Sequence, residues 1–226
     1  MQRDYFTLRS VVTRERLPSI ITAAVMLGMA YLVEHIANLY AFEYTLRPTS
    51  NHVGDLILDN LPVVDLSVII IEGALIALVL VVFYLLSQPR YILFTAKAVA
   101  LFVVVRAFFV SLTHVAIYPV HIAPGVGFFD GLYLYLNFQT GLFFSGHTGM
   151  PFLMALIFWH KKRTRLFFLS VSLLGGVAVL FGHVHYSIDV FAAPFMAYGI
   201  YHIALRLFPR DYELIAADPG HYFPRP

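Results

Sequence analysis

The sequence predicts an all-α integral membrane protein with six transmembrane helices in one bundle and both termini cytoplasmic. Three observations carry this expectation. The chain is 60% hydrophobic and only 12% charged, whereas a soluble chain carries roughly 25% charged residues. Its apolar residues come in runs long enough to cross a hydrocarbon core of ~30 Å, which takes about 20 helical residues. Its basic residues gather in alternate connecting segments, as the positive-inside rule requires of cytoplasmic loops.

The apolar runs fall at 17–40, 63–86, 92–118, 145–159, 165–182 and 186–207. The fourth is short unless it borrows Leu142, Phe143 and Phe144. Arg3, Arg9, Arg14 and Arg16 precede the first run, and Arg90 and Lys97 follow the second. Lys161, Lys162, Arg163 and Arg165 separate the fourth from the fifth, and Arg206, Arg210 and Arg225 follow the last. Thirteen of the fifteen Lys and Arg residues thus share one side. Arg47 is alone on the other and Arg106 lies within a run.

Three regions follow: an interfacial segment (1–16), one transmembrane domain (17–207) and a polar cytoplasmic tail (208–226). In the first, Tyr5, Phe6, Leu8, Val11 and Val12 alternate with arginines, which suits an amphipathic helix lying on an anionic leaflet. Its charges run on to Arg16 without a small-residue cleavage site, unlike a signal peptide. Cysteine is absent, so disulfides and thiolate metal sites are excluded. No solenoid repeat is present, and no nucleic-acid partner is expected.

Polar residues gather on the side poor in Lys and Arg. The fourth run opens with FFSGHTG (143–149), and HVHYSIDV (183–190) leads into the sixth. Both runs start at the same face, so neighbouring helices would bring the two motifs to one level. His185 and Asp189 are four apart and share a face on a helix. The carboxylate would fix the imidazole tautomer and leave the other nitrogen a directed lone pair, as nucleophilic or general-base chemistry needs. Ser145 reads as a helix cap, Gly146 lets a ligand approach the backbone, and the helix start at Ser145, Gly146, His147 and Thr148 suits an anion. His147 beside it could donate a proton to a leaving oxygen. Together these point to phosphoryl transfer.

Other readings compete. His35, His52, His121, His160 and His221 read as interfacial or backbone-bonded side chains. A metal site from His147, His183, His185 and Asp189 suits zinc by ligand type, but a helix starting after His183 spoils convergence. Neither metal nor cofactor is therefore expected. Glu72 and Arg106 interrupt the second and third runs, and intramembrane charges point to function or to pairing. They could pair with each other. Alternatively, Arg106 could bind a phosphate oxygen while Glu72 holds a histidine or takes the proton of an acceptor hydroxyl. A non-catalytic transporter with Glu72 and Arg106 on a substrate path is a further alternative.

FFSGHTG followed by HYSIDV resembles the last two signature motifs of the type 2 phosphatidic acid phosphatase superfamily, in the form found in sphingomyelin synthases. GDLILDNLPVVDLSVIIIEG (54–73) and RAFFVSLT (106–113) are similar to that family's first two blocks. The resemblance implies that His185 is the nucleophile forming a phosphohistidine, that Asp189 orients it, and that His147 protonates the departing alkoxide. Glu72 falls on a family glutamate. It also implies six spans, cytoplasmic termini and an extracytoplasmic site. The sequence departs from the family at Gly141, where an Asp is frequent; Asp130 or His114 could compensate. It also has Val179 where the phosphomonoesterases carry an Arg. A phosphomonoester is nearly a dianion at neutral pH, so one arginine plus a helix start suits a singly charged phosphodiester better. The implied partners are a bilayer phospholipid donor, phosphocholine or phosphoethanolamine in type, and a lipid-alcohol acceptor such as ceramide or diacylglycerol. Water as acceptor would instead make a lipid phosphatase or phospholipase C-like hydrolase.

Overall fold

The computed structural model describes residues 6–45, 52–112, 115–122 and 142–217. These residues fold as helices: α1 (Leu8–Val11), α2 (Leu17–Thr45), α3 (Ser67–Ser87), α4 (Ile92–Leu112), α5 (Gly146–Ile157), α6 (Lys162–Phe181), α7 (Ser187–Leu207) and α8 (Pro209–Ala216). Five of them, α2, α3, α4, α6 and α7, are long and apolar enough to cross a membrane. Their outer faces carry large apolar side chains such as Val68, Leu173 and Phe195, the arrangement a lipid solvent selects.

Each boundary has a local cause. Pro89 lacks an N–H and disfavours helix in the residue before it, so α3 stops at Ser87 and a single 3₁₀ turn leads directly into α4. α3 starts at Ser67 rather than near residue 63, because Leu61 is extended and Val64 donates instead to the Phe181 carbonyl at 2.9 Å. Ile122 donates to the Gly182 carbonyl at 3.0 Å. Those two bonds satisfy carbonyls that the end of α6 leaves without intrahelical partners.

The fourth apolar run differs from expectation. α5 has 12 residues and rises about 18 Å, short of a ~30 Å core. It does not borrow Leu142, Phe143 and Phe144, because Phe143 has φ 124° and Phe144 φ 21°, which no right-handed helix accommodates. Phe144 is fully buried against Phe102 and Phe109, with centroids 5.2 and 6.4 Å away, and Phe143 packs on Phe109 at 5.3 Å. These aromatic contacts hold a strained turn ahead of α5. The short helix is enclosed by α4, α6 and α7, with Leu153, Met154, Ala155, Leu156 and Ile157 buried.

α2 lies along α4. Ala23, Ala30, Ala37 and Ala41 are its buried apolar residues, the first three spaced by heptads. Small side chains let two helices approach closely where lipid offers no hydrophobic drive.

Both terminal segments pack against the bundle. The interfacial helix of residues 1–16 is a single turn among the described residues. Val11 is buried with Ala23 and Leu93, and Phe6 lies beneath both Arg16 and Arg90 at 5.3 and 5.5 Å. The tail does not simply enter water. Pro209–Ala216 is helical and folds back, burying Asp211 and Ile215. Asp211 accepts from Lys97 Nζ at 2.6 Å and from Ser19 Oγ at 2.5 Å, while Lys97 also donates to Ser19 Oγ at 2.8 Å. Lys97 is therefore an interior charge of α4, not a flanking loop charge.

This cluster joins α2, α4 and α8 at the basic end of the bundle. Removing one partner strands a buried charge, which costs about 3–5 kcal/mol, whereas apolar replacement of both can be nearly neutral. Lys97→Ala and Asp211→Ala are each expected to lower the thermal unfolding midpoint in detergent markedly. The double variant Lys97→Met/Asp211→Leu should recover most of the loss.

Candidate active site

The two polar motifs meet at the end of the bundle opposite the Lys97 cluster. Asp189 joins them. Its backbone carbonyl accepts the Ser145 N–H at 2.9 Å, tying the start of α5 to the first turn of α7. Its side-chain Oδ2 faces His185 Nδ1 at 3.2 Å and accepts the Tyr186 N–H at 3.3 Å. His185 is not on the helix, as the four-residue spacing suggested. α7 begins at Ser187 with Tyr186 as its cap residue, and Asp189 reaches back over that start, meeting a backbone donor and the histidine together. His185 and Asp189 are both buried.

His147 faces this pair. Its ring centroid lies 6.1 Å from that of His185, with the planes at 65°, and it reaches the Ile70 carbonyl on α3. Its own carbonyl is placed by an unusual contact. Pro151 has no N–H, so α5 cannot use that carbonyl in an i to i−4 bond. The backbone of α6 approaches there instead: a Cβ on Gly175 would lie 2.7 Å from the His147 oxygen. Only glycine fits that crossing.

The start of α5 has partly the character expected of an anion site. Ser145 is its cap residue, but its hydroxyl makes no capping hydrogen bond. That hydroxyl is buried without a hydrogen-bond partner among the described residues. The first-turn amides beyond Ser145 have no intrahelical acceptor. Arg106 stands beside them: a Cβ on Gly146 would lie 3.8 Å from Arg106 Nε. Thr148 does not join this group. Its Oγ1 would be 3.0 Å from a Cβ on Gly176, so it faces the α6 packing surface, because one residue of helix turns it about 100° from His147.

Glu72 also stands apart. It is half-buried on α3 and forms no hydrogen bond or ion pair among the described residues. Ile70, Ile71 and Leu75 take the inward face of α3. Arg106 pairs instead with Glu34 of α2, whose Oε1 also lies 3.5 Å from Asn38 Nδ2. Glu34 is in the first apolar run, and the presumption that an intramembrane charge has a partner was the signal that could have found it. The His183 ring is engaged elsewhere: its Nδ1 lies 2.8 Å from the Val120 carbonyl, and its φ is 52°. Among the described residues no group of His, Asp and Glu could hold a metal ion. His114, Asp130 and Gly141 lie outside the described residues.

Asp55 is a second residue that sequence reasoning missed. Its Oδ2 accepts the Ser187 N–H at 2.7 Å, capping α7 from a distant segment. Its Oδ1 accepts from Ile57 and Leu58 at 2.9 and 3.1 Å. Burial alone would raise this carboxyl, but the hydrogen bonds from Ser187, Leu58 and Ile57 outweigh it and hold the group below the ordinary carboxylate value. Tyr186 Oη donates to the Ala116 carbonyl at 2.9 Å and accepts from the Val53 N–H at 3.3 Å. Nearby, Tyr118 donates to Asp59 at 2.5 Å, which pushes the phenol up to about 12. A cavity of about 350 Å³ lies beside Asp189, with Asp55, Leu56, Phe143 and Ile188 among its lining.

Compared with family models, curated proteins and solved structures, the chain matches none. What the site can do therefore rests on its own chemistry. It combines an oriented imidazole, a second imidazole opposite and a cation beside a helix start.

Two outcomes follow from this geometry. Gly175→Ala should push the first turn of α5 away from α6 and lower the thermal unfolding midpoint in detergent clearly, since overpacking of this kind costs about 1–3 kcal/mol. The depressed Asp55 carboxyl contributes stability that is present above its unfolded value near 3.8 and lost as pH falls through the lower folded value. Acid unfolding followed by circular dichroism should thus be shallower in Asp55→Asn, which should also be less stable at neutral pH.

Proposed function

We propose that this protein is a membrane-embedded lipid phosphotransferase of the sphingomyelin synthase-like branch of the type 2 phosphatidic acid phosphatase superfamily. It moves a phospho-headgroup from a glycerophospholipid to a lipid alcohol through a phosphohistidine. The observation that carries this reading is the pair of facing imidazoles, 6.1 Å apart, one of them held at Nδ1 by Asp189. A histidine tethered at Nδ1 presents Nε2 as its nucleophilic atom, and a second histidine across the gap is placed for proton transfer to or from an oxygen on phosphorus.

The donor phosphodiester settles against the amides of Gly146 and His147 and the Arg106 guanidinium. His185 Nε2 attacks phosphorus. The bond from phosphorus to the glycerol oxygen breaks, and His147 gives its proton to that oxygen, releasing diacylglycerol. The acceptor hydroxyl then attacks the phosphohistidine, His147 takes its proton, and the P–N bond breaks to restore His185. Asp189 stabilises the positive charge on His185 when the ring is phosphorylated. Splitting one displacement into two is the gain from such a nucleophile. Thr148 and Glu72 have no step in this scheme.

The reading places six passes in the membrane, α5 making the fourth with its flanking turns, and both termini in the cytoplasm. The basic end of the bundle, with Arg16, Arg90, Lys161 and Arg165, is cytoplasmic by the positive-inside rule. The histidines then open toward the extracytoplasmic side. Because α5 is about 12 Å shorter than the core is thick, its start lies within the depth reached by lipid headgroups and their ester linkages.

Purified protein incubated with phosphatidylcholine and phosphatidylethanolamine, with and without ceramide or diacylglycerol, tests this by mass spectrometry of the lipids. A new phospho-headgroup lipid should form only when the alcohol is supplied. Equal headgroup release without it would identify water as the acceptor and a hydrolase instead. His185→Ala should lose about 10⁴-fold or more of the turnover, and His147→Ala about 10²–10⁴-fold. Turnover that survives His185→Ala would sink the mechanism.

A further inference from the structure

We infer that Glu34, on the peripheral helix α2, sets the charge of the anion site and so selects singly charged phosphodiesters over doubly charged phosphomonoesters. The inference rests on reading the site as a phosphoester-transfer centre and deepens its substrate class.

Arg106 lies between two elements. On one side its guanidinium is beside Gly146 at the start of α5. On the other it is ion-paired with Glu34, the two side chains being only 9% and 15% exposed. Burial makes this pairing consequential, because charges interact several-fold more strongly near a protein interior than in water. The Glu34 carboxylate therefore subtracts one elementary charge from the surroundings of any phosphate bound at Gly146. It also fixes where the guanidinium points, since Arg106 Nη1 donates to Glu34 Oε1. Asn38, almost fully buried one helical turn on, approaches the same oxygen.

A carboxylate one side chain away from the phosphate repels a dianion about twice as strongly as a monoanion. Arg106 attracts a dianion about twice as strongly as a monoanion as well, and Glu34 cancels that advantage, leaving the dianion with its larger desolvation cost. Discrimination between the two thus falls to Glu34, a positioning residue that touches Arg106 and not the reacting atoms. Its place on α2 follows from the alanine seam. Ala30 and Ala37 bring the helix close enough to α4 for a glutamate between them to reach Arg106.

Full-length protein in detergent, titrated calorimetrically with inorganic phosphate at pH 8 and with dimethyl phosphate, reads this directly and needs no turnover. Glu34→Gln keeps the shape and removes the charge. It should bind inorganic phosphate at least about tenfold more tightly than the parent, with a smaller gain for dimethyl phosphate. Glu34→Ala removes the same charge with a smaller side chain and should move in the same direction. Glu34→Asp keeps the charge and should retain the parent's preference. Unchanged relative affinities in the neutral variants, or no anion binding in any of them, overturn the inference. Phosphatidylcholine turnover is measured in parallel with His185→Ala. If it fails to depend on His185, the transfer reading fails by itself, and the anion titration still decides the role of Glu34.

Discussion

The carboxylate and carbonyl of Asp189 hold together the end of the bundle where the two histidines face each other. One residue accepts three hydrogen-bonding groups from two motifs: the Ser145 amide through its carbonyl, and the Tyr186 amide and His185 ring through its side chain. Helix starts leave amides unsatisfied, and at a buried start an unsatisfied amide is costly. Asp189 answers part of that need for α7 and, by the same geometry, orients an imidazole. Capping a helix start and orienting an imidazole are done by one side chain. The distance between His147 and His185 depends on it, because it sets α5 and α7 at one level.

Around this tie the fold has two kinds of support. Backbone approach places His147: Pro151 frees a carbonyl that Gly175 can reach, and the strained Phe143–Phe144 turn is held by Phe102 and Phe109. Non-Gly residues at positive φ cost about 1–3 kcal/mol each and persist where packing over-determines them. Distant segments place His185: Asp55 caps α7 across the chain, and Tyr186 bonds to Val53 and Ala116. Residues 52–60 thus belong to the framework around His185.

α4 carries one buried cation toward each end, and each is neutralised from a different direction. Lys97 meets Asp211 of α8 and Ser19 of α2, while Arg106 meets Glu34 of α2. Both contacts fasten α2, whose buried apolar residues are all alanines. A lone charge in hydrocarbon costs several kcal/mol, so these pairs fix the register between α2 and α4 more firmly than alanine packing could.

Much of this architecture could be read from the chain. Long apolar helices were legible because hydropathy is a local property, and the convergence of SGHTG with HYSID was legible because both motifs open helices at the same face. Other features were decided only in three dimensions. Which acid meets Arg106 depends on the rotation of α2 against α4, and no spacing in the sequence relates residues 34 and 106; Glu72, nearer in the chain, does not pair with it. Whether Thr148 joins His147 depends on the turn of α5 and the glycine surface beside it. The residues of α8 read as a solvated tail because Asp211 and Ile215 acquire their partners only after the bundle closes. Sequence alone determined which segments favour lipid and which side chains could carry the chemistry, since both are properties of single residues and near neighbours. Tertiary structure decided which of those side chains face one another, because that is a property of helix rotation and level, fixed by packing between segments far apart in the chain.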